Sequence, residues 1–164
     1  MTARFAERRV VWRRKTSRFH GDEYGFRCVH CRQYVSTDWL LSGVRNRNHC
    51  PYCLHSRHLD WLHAGDRLAA CKGNMLPVGL TLKRRHKKYG DAIGELMLVH
   101  RCAECGKLSI NRIAADDDSA RMLALFERLD SLDQSTRTEL EAAGIQPLDS
   151  ADLVWVQAQL FGKN

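Results

Sequence analysis

The sequence predicts an α+β fold: a small antiparallel β core organised by metal-binding cysteines, a basic arm before it and a helical extension after it. Three observations lead there. Six of the seven cysteines fall into three C-x-x-C pairs. Two apolar segments between the second and third pairs flank a short basic stretch with turn residues, the pattern of paired strands. After residue 116 the apolar residues recur at helical rather than strand spacing. The parts divide as residues 1–20 for the arm, 21–116 for the core and 117–164 for the helical tail.

A chain of 164 residues is about one domain, with a modest core. No run of eighteen apolar residues exists, so no membrane-spanning helix is expected. The N-terminal stretch MTARFAERRVVWRRKTSRFH is basic like an export signal but has no continuous apolar segment, so the chain reads as cytoplasmic. In that compartment thiols stay reduced, which favours metal ligation over disulfides. Charge is divided unevenly. Residues 1–115 carry a net +13 and residues 116–164 a net −6, which together give the +7 of the whole chain. A basic part joined to an acidic tail suits a protein that meets a polyanion on one side.

The arm holds Arg4, Arg8, Arg9, Arg13, Arg14, Lys15 and Arg18 interleaved with Phe5, Trp12 and Phe19, opposed only by Glu7. So charged a segment cannot easily bury a core of its own. Arginines for phosphates and aromatics for bases are the residues of an arm that orders on nucleic acid, although a single charge run is usually a solubilising tail.

Cys28 and Cys31 are followed, after eighteen intervening residues, by Cys50 and Cys53. Two thiolates three positions apart fit one tight turn, and two such turns place four sulfurs at the corners of a tetrahedron. Zn²⁺ takes that geometry with thiolates, so the four cysteines read as a structural zinc site. Pro51 fixes φ within the second turn. Tyr24, Phe26, Tyr34 and Val35 have β character, predicting a strand into the first turn and a strand out. Trp39, Leu40 and Leu41 are expected to pack over the metal. Asn46, Asn48 and His49 are expected to support the site through hydrogen bonds to carbonyls or sulfurs. Arg45 and Arg47 are expected to face outward, toward phosphate.

Several separated stretches carry a resemblance: RNHCPYCLHSRHLD at Arg47 to Asp60, GDR at Gly65 to Arg67, Cys71, HRCAECG at His100 to Gly106 and NRIAADD at Asn111 to Asp117. Together, from about Phe26 to Asp118, they resemble the RNHCP-domain family of small bacterial proteins, named for the motif standing here at Arg47 to Pro51. The resemblance implies a cytoplasmic protein like a zinc ribbon and brings no particular reaction with it.

Cys71, Cys102 and Cys105 remain, and a structural zinc needs a fourth ligand. His58, thirteen residues before Cys71 and within the resembling stretch, is the first candidate. His100, two before Cys102, is the second, although so short a separation makes joint coordination awkward. The sequence thus predicts two Zn²⁺ ions, with either histidine completing the second site.

The segments MLPVGLTL and AIGELMLV enclose Lys83, Arg84, Arg85, His86, Lys87 and Lys88, followed by Tyr89-Gly90-Asp91. This is the pattern of a β-hairpin or two adjacent antiparallel strands with a basic tip. Lysines at a strand end also discourage edge pairing, but five cations there exceed that need and repel one another without an anion. Gly106 permits a left-handed turn after Cys105. Asp116 to Asp118 could hold a metal, yet acidic residues before the helical stretch SARMLALFERL more simply cap it. Met122, Leu123, Leu125, Phe126 and Leu129 give that helix one apolar face. Thr136 and Glu139 suggest a capping box for the next helix, which Gly144 ends, and Leu153 to Phe161 forms the last. The tail could fold back on the core or stand apart as an appendage.

Three functions compete. A non-enzymatic zinc protein that binds structured RNA, ribosomal RNA first among them, fits two separate basic elements and no basic recognition helix. Neighbouring ribosomal proteins would then be further partners, with no membrane and no small-molecule substrate. A DNA-binding zinc ribbon would need a base-reading element. A metal-dependent nuclease would draw on His55, His58, Asp60 and His63 or on the aspartate triplet. Nucleotide-binding and hydrolase motifs such as Walker A, HExxH and G-x-S-x-G are absent, so no catalytic residue is expected.

Overall fold

The computed structural model describes residues 24–84 and 94–162. The arm residues Arg4 to Arg18 and the tip residues Arg85, Lys87 and Lys88 lie outside the described residues. The fold mixes helices with antiparallel sheet and brings the cysteines into two clusters.

Strands β1 (Gly25–Arg27) and β2 (Tyr34–Ser36) form a two-stranded ribbon with Phe26 opposite Val35 and Arg27 opposite Tyr34. These are the two strands predicted around the first cysteine turn. Alternation sends Phe26 and Val35 inward, where they pack with Cys28 and Cys50. The Tyr34 ring crosses Gly25 so closely that a Cβ there would meet it at 2.4 Å, which makes glycine the residue that fits.

A single-turn helix, α1 (Trp39–Ser42), follows; the Asp38 carboxylate accepts from Leu40 N–H at 2.9 Å and Gly43 ends the turn at φ 71°. Trp39, Leu40 and Leu41 do not pack over the metal as expected. They are 56%, 72% and 63% exposed. A four-residue helix presents too short a face to bury three consecutive large side chains, and Ser42 turns inward instead.

The second sheet has the order β3 (Ser56–Arg57), β4 (Asn74–Arg84), β5 (Gly94–Cys102), β6 (Leu108–Arg112), every pair antiparallel. The two predicted apolar segments are β4 and β5. Their register slips between Pro77 and Gly79, where proline has no N–H to give the ladder.

The tail folds back. Leu80, Leu96 and Leu98 on one face of the sheet share a buried core with Met122, Leu125 and Phe126 of α2 (Ser119–Glu127), with Leu129, Leu148 and Val156, and with Leu54. Burying such side chains contributes about 1.5–3 kcal/mol apiece, so this helical layer supplies much of the apolar stabilisation. Pro147 bridges Thr81, and Leu148 N–H bonds to Leu80 C=O at 3.3 Å, covering the outer edge of β4. On the opposite face Arg101 pairs with Glu139 of α3 (Gln134–Ala142) at 2.9 Å. The cap of α3 is Asp133 rather than Thr136: its carboxylate accepts from the Thr136 N–H and hydroxyl, both at 2.9 Å. The helix therefore begins two residues before the expected capping box. The last helix is α4 (Leu153–Phe161), and no described helix is long and apolar enough to cross a membrane.

Candidate metal centres

The first centre joins two turns. Cys28 and Cys31 sit at the end of the β1–β2 ribbon, and Cys50 and Cys53 on the loop entering β3. Their sulfurs lie within 4.8 Å of one another, with Cys28–Cys53 and Cys31–Cys50 at 3.5 Å each. A tetrahedron with Zn–S bonds of about 2.3 Å has edges near 3.8 Å, so the set closes on one ion. Cys28 and Cys50 are buried. Burial pushes the Cys50 thiol up to about 11, the crowded sulfurs adding to it, and burial drives Cys53 upward as well. A divalent cation among them reverses that preference and holds the thiolates.

The second centre is built by the sheet. His58 follows β3, Cys71 precedes β4, and Cys102 and Cys105 form the β5–β6 turn. Cys71 Sγ is 3.8 Å from Cys102 Sγ and 3.7 Å from Cys105 Sγ, and His58 Nδ1 is 3.0 Å from Cys71 Sγ and 3.3 Å from Cys105 Sγ. The two clusters could each hold a zinc ion: S₄ and NS₃ donor sets in tetrahedral arrangement suit structural zinc. His100 is not the fourth ligand. It is fully buried, with Nε2 bonded to Leu54 C=O at 2.6 Å and Nδ1 facing the Asn111 amide at 2.9 Å. Burial pushes its pKa down to about 3, so the ring stays neutral.

A third group, His30, Cys53 and His55, also lies within ligand distance. It cannot take an ion between its imidazoles. The rings stack 3.6 Å apart and within 5° of parallel. Imidazole lone pairs lie in the ring plane, and an ion shared by two stacked rings would lie far out of both planes. The stack instead braces one cysteine turn against the other.

The residue following each ligand turn is left-handed: Arg32 after Cys31 at φ 65°, Leu54 after Cys53 at 62°, Lys72 after Cys71 at 50° and Gly106 after Cys105 at 73°. Within the first of these turns the His30 N–H faces Cys28 Sγ at 3.4 Å.

Beside the first centre, Arg47 reaches across to the start of α2. Its guanidinium contacts Asp116 at 2.8 Å and Asp117 at 3.3 Å and donates through Nε to His49 C=O at 3.2 Å. His49 Nε2 is 2.9 Å from Asp117 Oδ2, which also accepts from Ala114 N–H at 2.8 Å. Asp118 caps α2, and its N–H bonds to Pro51 C=O at 3.0 Å. The sequence model of the RNHCP domain matches residues 23–123, which include both centres and this bridge.

The chain belongs to the RNHCP domain family. Neither a curated protein nor a solved structure matches it. In this RNHCP domain the motif is a joint: Cys50 faces the metal, while Arg47 and His49 grip the aspartates that open α2. Arg47 is therefore 3% exposed rather than facing outward, because paired carboxylates compensate its burial. Arg45, two positions earlier, is exposed as expected. Lys83 is exposed near the end of β4, and Arg84 ends that strand. Asp117 is committed to Arg47 and His49, and Asp116 pairs with Arg47 through Oδ2. No local pattern announces this bridge, since its partners lie 69 and 70 positions apart. Its one trace in the sequence is that ADD and RNHCP both stand among the motifs that resemble the family.

Proposed function

We propose that this zinc-organised RNHCP domain is a non-enzymatic, cytoplasmic RNA-binding protein whose target is structured RNA, with ribosomal RNA the best fit. The observation that carries the reading is the division of charge, +13 over residues 1–115 against −6 beyond. Phosphate neutralisation is the main source of affinity for RNA, and several unconnected basic elements suit a protein set among RNA segments. Arg27, Arg32, Arg45 and Lys83 add exposed cations to the arm and tip. Most of the side chains an enzymatic reading would draw on are otherwise engaged, His63 excepted: His58 with the second sulfur set, His55 in the stack, Asp60 with Gly65 and Arg67 N–H, and Asp116 and Asp117 with Arg47.

Two measurements test this. The native protein should sediment with ribosomal particles at moderate salt. RNA affinity should fall with salt at about 0.7–0.9 log units per tenfold salt for each phosphate contacted. Replacing Lys83, Arg84, Arg85, Lys87 and Lys88 with Ser, or deleting residues 1–18, should weaken binding and flatten that slope while zinc content is unchanged. Neither ligand set includes those residues. Unaltered affinity and slope in both variants would sink the RNA assignment and leave the zinc protein standing.

A further inference from the structure

His58 has a second nitrogen. With Nδ1 turned to the sulfurs of Cys71 and Cys105, Nε2 must carry the proton and donate. The residue is 2% exposed, and Nε2 is buried without a hydrogen-bond partner among the described residues. A buried donor left unmet costs about 1–3 kcal/mol, so it calls for an acceptor.

His58 lines a cavity of about 190 Å³. Asn48 of the RNHCP motif and Asn111 of the NRIAADD stretch line it too, with Trp61 and Met75 contributing apolar wall. The three charged residues that line it, Arg57, Lys107 and Asp60, are engaged, Arg57 donating through Nε to Lys72 C=O at 3.2 Å. Lys107 donates to Trp61 C=O and lies 4.7 Å above the Trp61 ring; Asp60 accepts from Gly65 and Arg67 N–H and faces the Arg67 guanidinium at 3.7 Å. Beside the exposed His63 imidazole, what remains open is neutral: one fixed N–H donor, amides that can both give and accept, and flat apolar surface. The backbone that carries Trp61 is fixed by Asp66, which accepts the N–H groups of Trp61, Leu62, His63 and Leu68 within 3.0 Å.

We propose that this cavity binds a single unpaired nucleobase, seated beside the second zinc centre, with an acceptor on His58 Nε2–H and its edge read by Asn48 and Asn111. A base is planar, uncharged and carries donors and acceptors on one edge, which is what the lining offers; unstacked bases in RNA are recognised in this manner. A cavity of this size has room for one ring system rather than for a polymer segment. The inference rests on the RNA reading for its physiological source, since a free nucleoside would satisfy the same chemistry.

The test uses the zinc-loaded full chain. Uncharged nucleosides at millimolar concentration, added one base at a time, should shift the His58 Nε2–H and Asn48 amide resonances, one base more strongly than the other three. That binding should be insensitive to salt. Asn48→Ala and Trp61→Ala should each weaken it at least tenfold while two zinc ions per chain remain. Their affinity for single-stranded oligonucleotides containing that base should fall severalfold with the salt slope unchanged. No nucleoside response, together with full oligonucleotide affinity in both variants, overturns the pocket and leaves RNA binding through phosphates intact. A nucleoside response without binding of any RNA upholds the pocket and removes the RNA reading instead.

Discussion

Arg47 and Asp117 both have fully buried side chains, and each is the other's compensation. Truncating one member of such a pair leaves a buried charge unmet, which costs about 3–5 kcal/mol. Arg47→Met should therefore lower the unfolding free energy of the zinc-loaded protein, read by denaturant titration, by an amount in that range. Arg45→Met, at an exposed position of the same loop, should change stability by less than about 0.5 kcal/mol. Equal effects of the two substitutions would show that the bridge contributes nothing to the fold. At this scale the sequence was legible in part. Cysteine spacing names six ligands, the lone Cys71 adds a seventh, and counting sulfurs demands a histidine as the eighth. The choice between His58 and His100 turns on what surrounds each ring. His100 lies beneath Leu54, and its nitrogens are spent on Leu54 C=O and Asn111. Arg45 and Arg47 look alike in sequence because what separates them is an aspartate pair far along the chain.

Among elements, the cysteine turns share a left-handed closing residue, and only one of the four is glycine. Side chains with a Cβ pay roughly 1–2 kcal/mol for that conformation. A Cβ at Gly106 would meet nothing within 4 Å, so Gly106→Ala isolates the backbone cost and should destabilise by about 1 kcal/mol. At the exposed Arg32 the reverse exchange, Arg32→Gly, should relieve strain and stabilise by a similar amount. Thermal denaturation of zinc-loaded variants reads both, and a shift of the same sign in the two would refute the strain account. Gly106 was readable because glycine signals φ > 0. Arg32, Leu54 and Lys72 send no such signal, since metal geometry overrides their preference. The strands and helices were legible from periodicity. The start of α3 was not, because a Thr-x-x-Glu pattern competes there with the aspartate three residues before it.

For the molecule as a whole, the apolar face of α2 shows in the sequence, but the surface that covers it does not. That surface is Leu80, Leu96 and Leu98 of the sheet, joined by Leu54 from the second cysteine turn. The two zinc centres consequently hold different things. The first ties the ribbon to the loop that Arg47 and His49 fasten to α2, and its Cys28 and Cys50 are buried. The second closes the loop between β3 and β4 onto the β5–β6 turn, and its Cys71 and Cys105 are exposed. A chelator reaches exposed thiolates first. Zinc release followed by a colorimetric chelator should be biphasic: a fast ion from the second centre with most helical circular dichroism retained, then a slow ion whose loss coincides with unfolding. Metal binding coupled to folding contributes about 10–16 kcal/mol per structural site, so the second step should be cooperative. His58→Ala should hold one zinc and lose the fast phase, whereas His100→Ala should keep both ions, though at lower stability. Simultaneous release of both ions, or a fast phase that survives in His58→Ala, would mean that the centres are not independent supports and that the buried site does not anchor the helical layer.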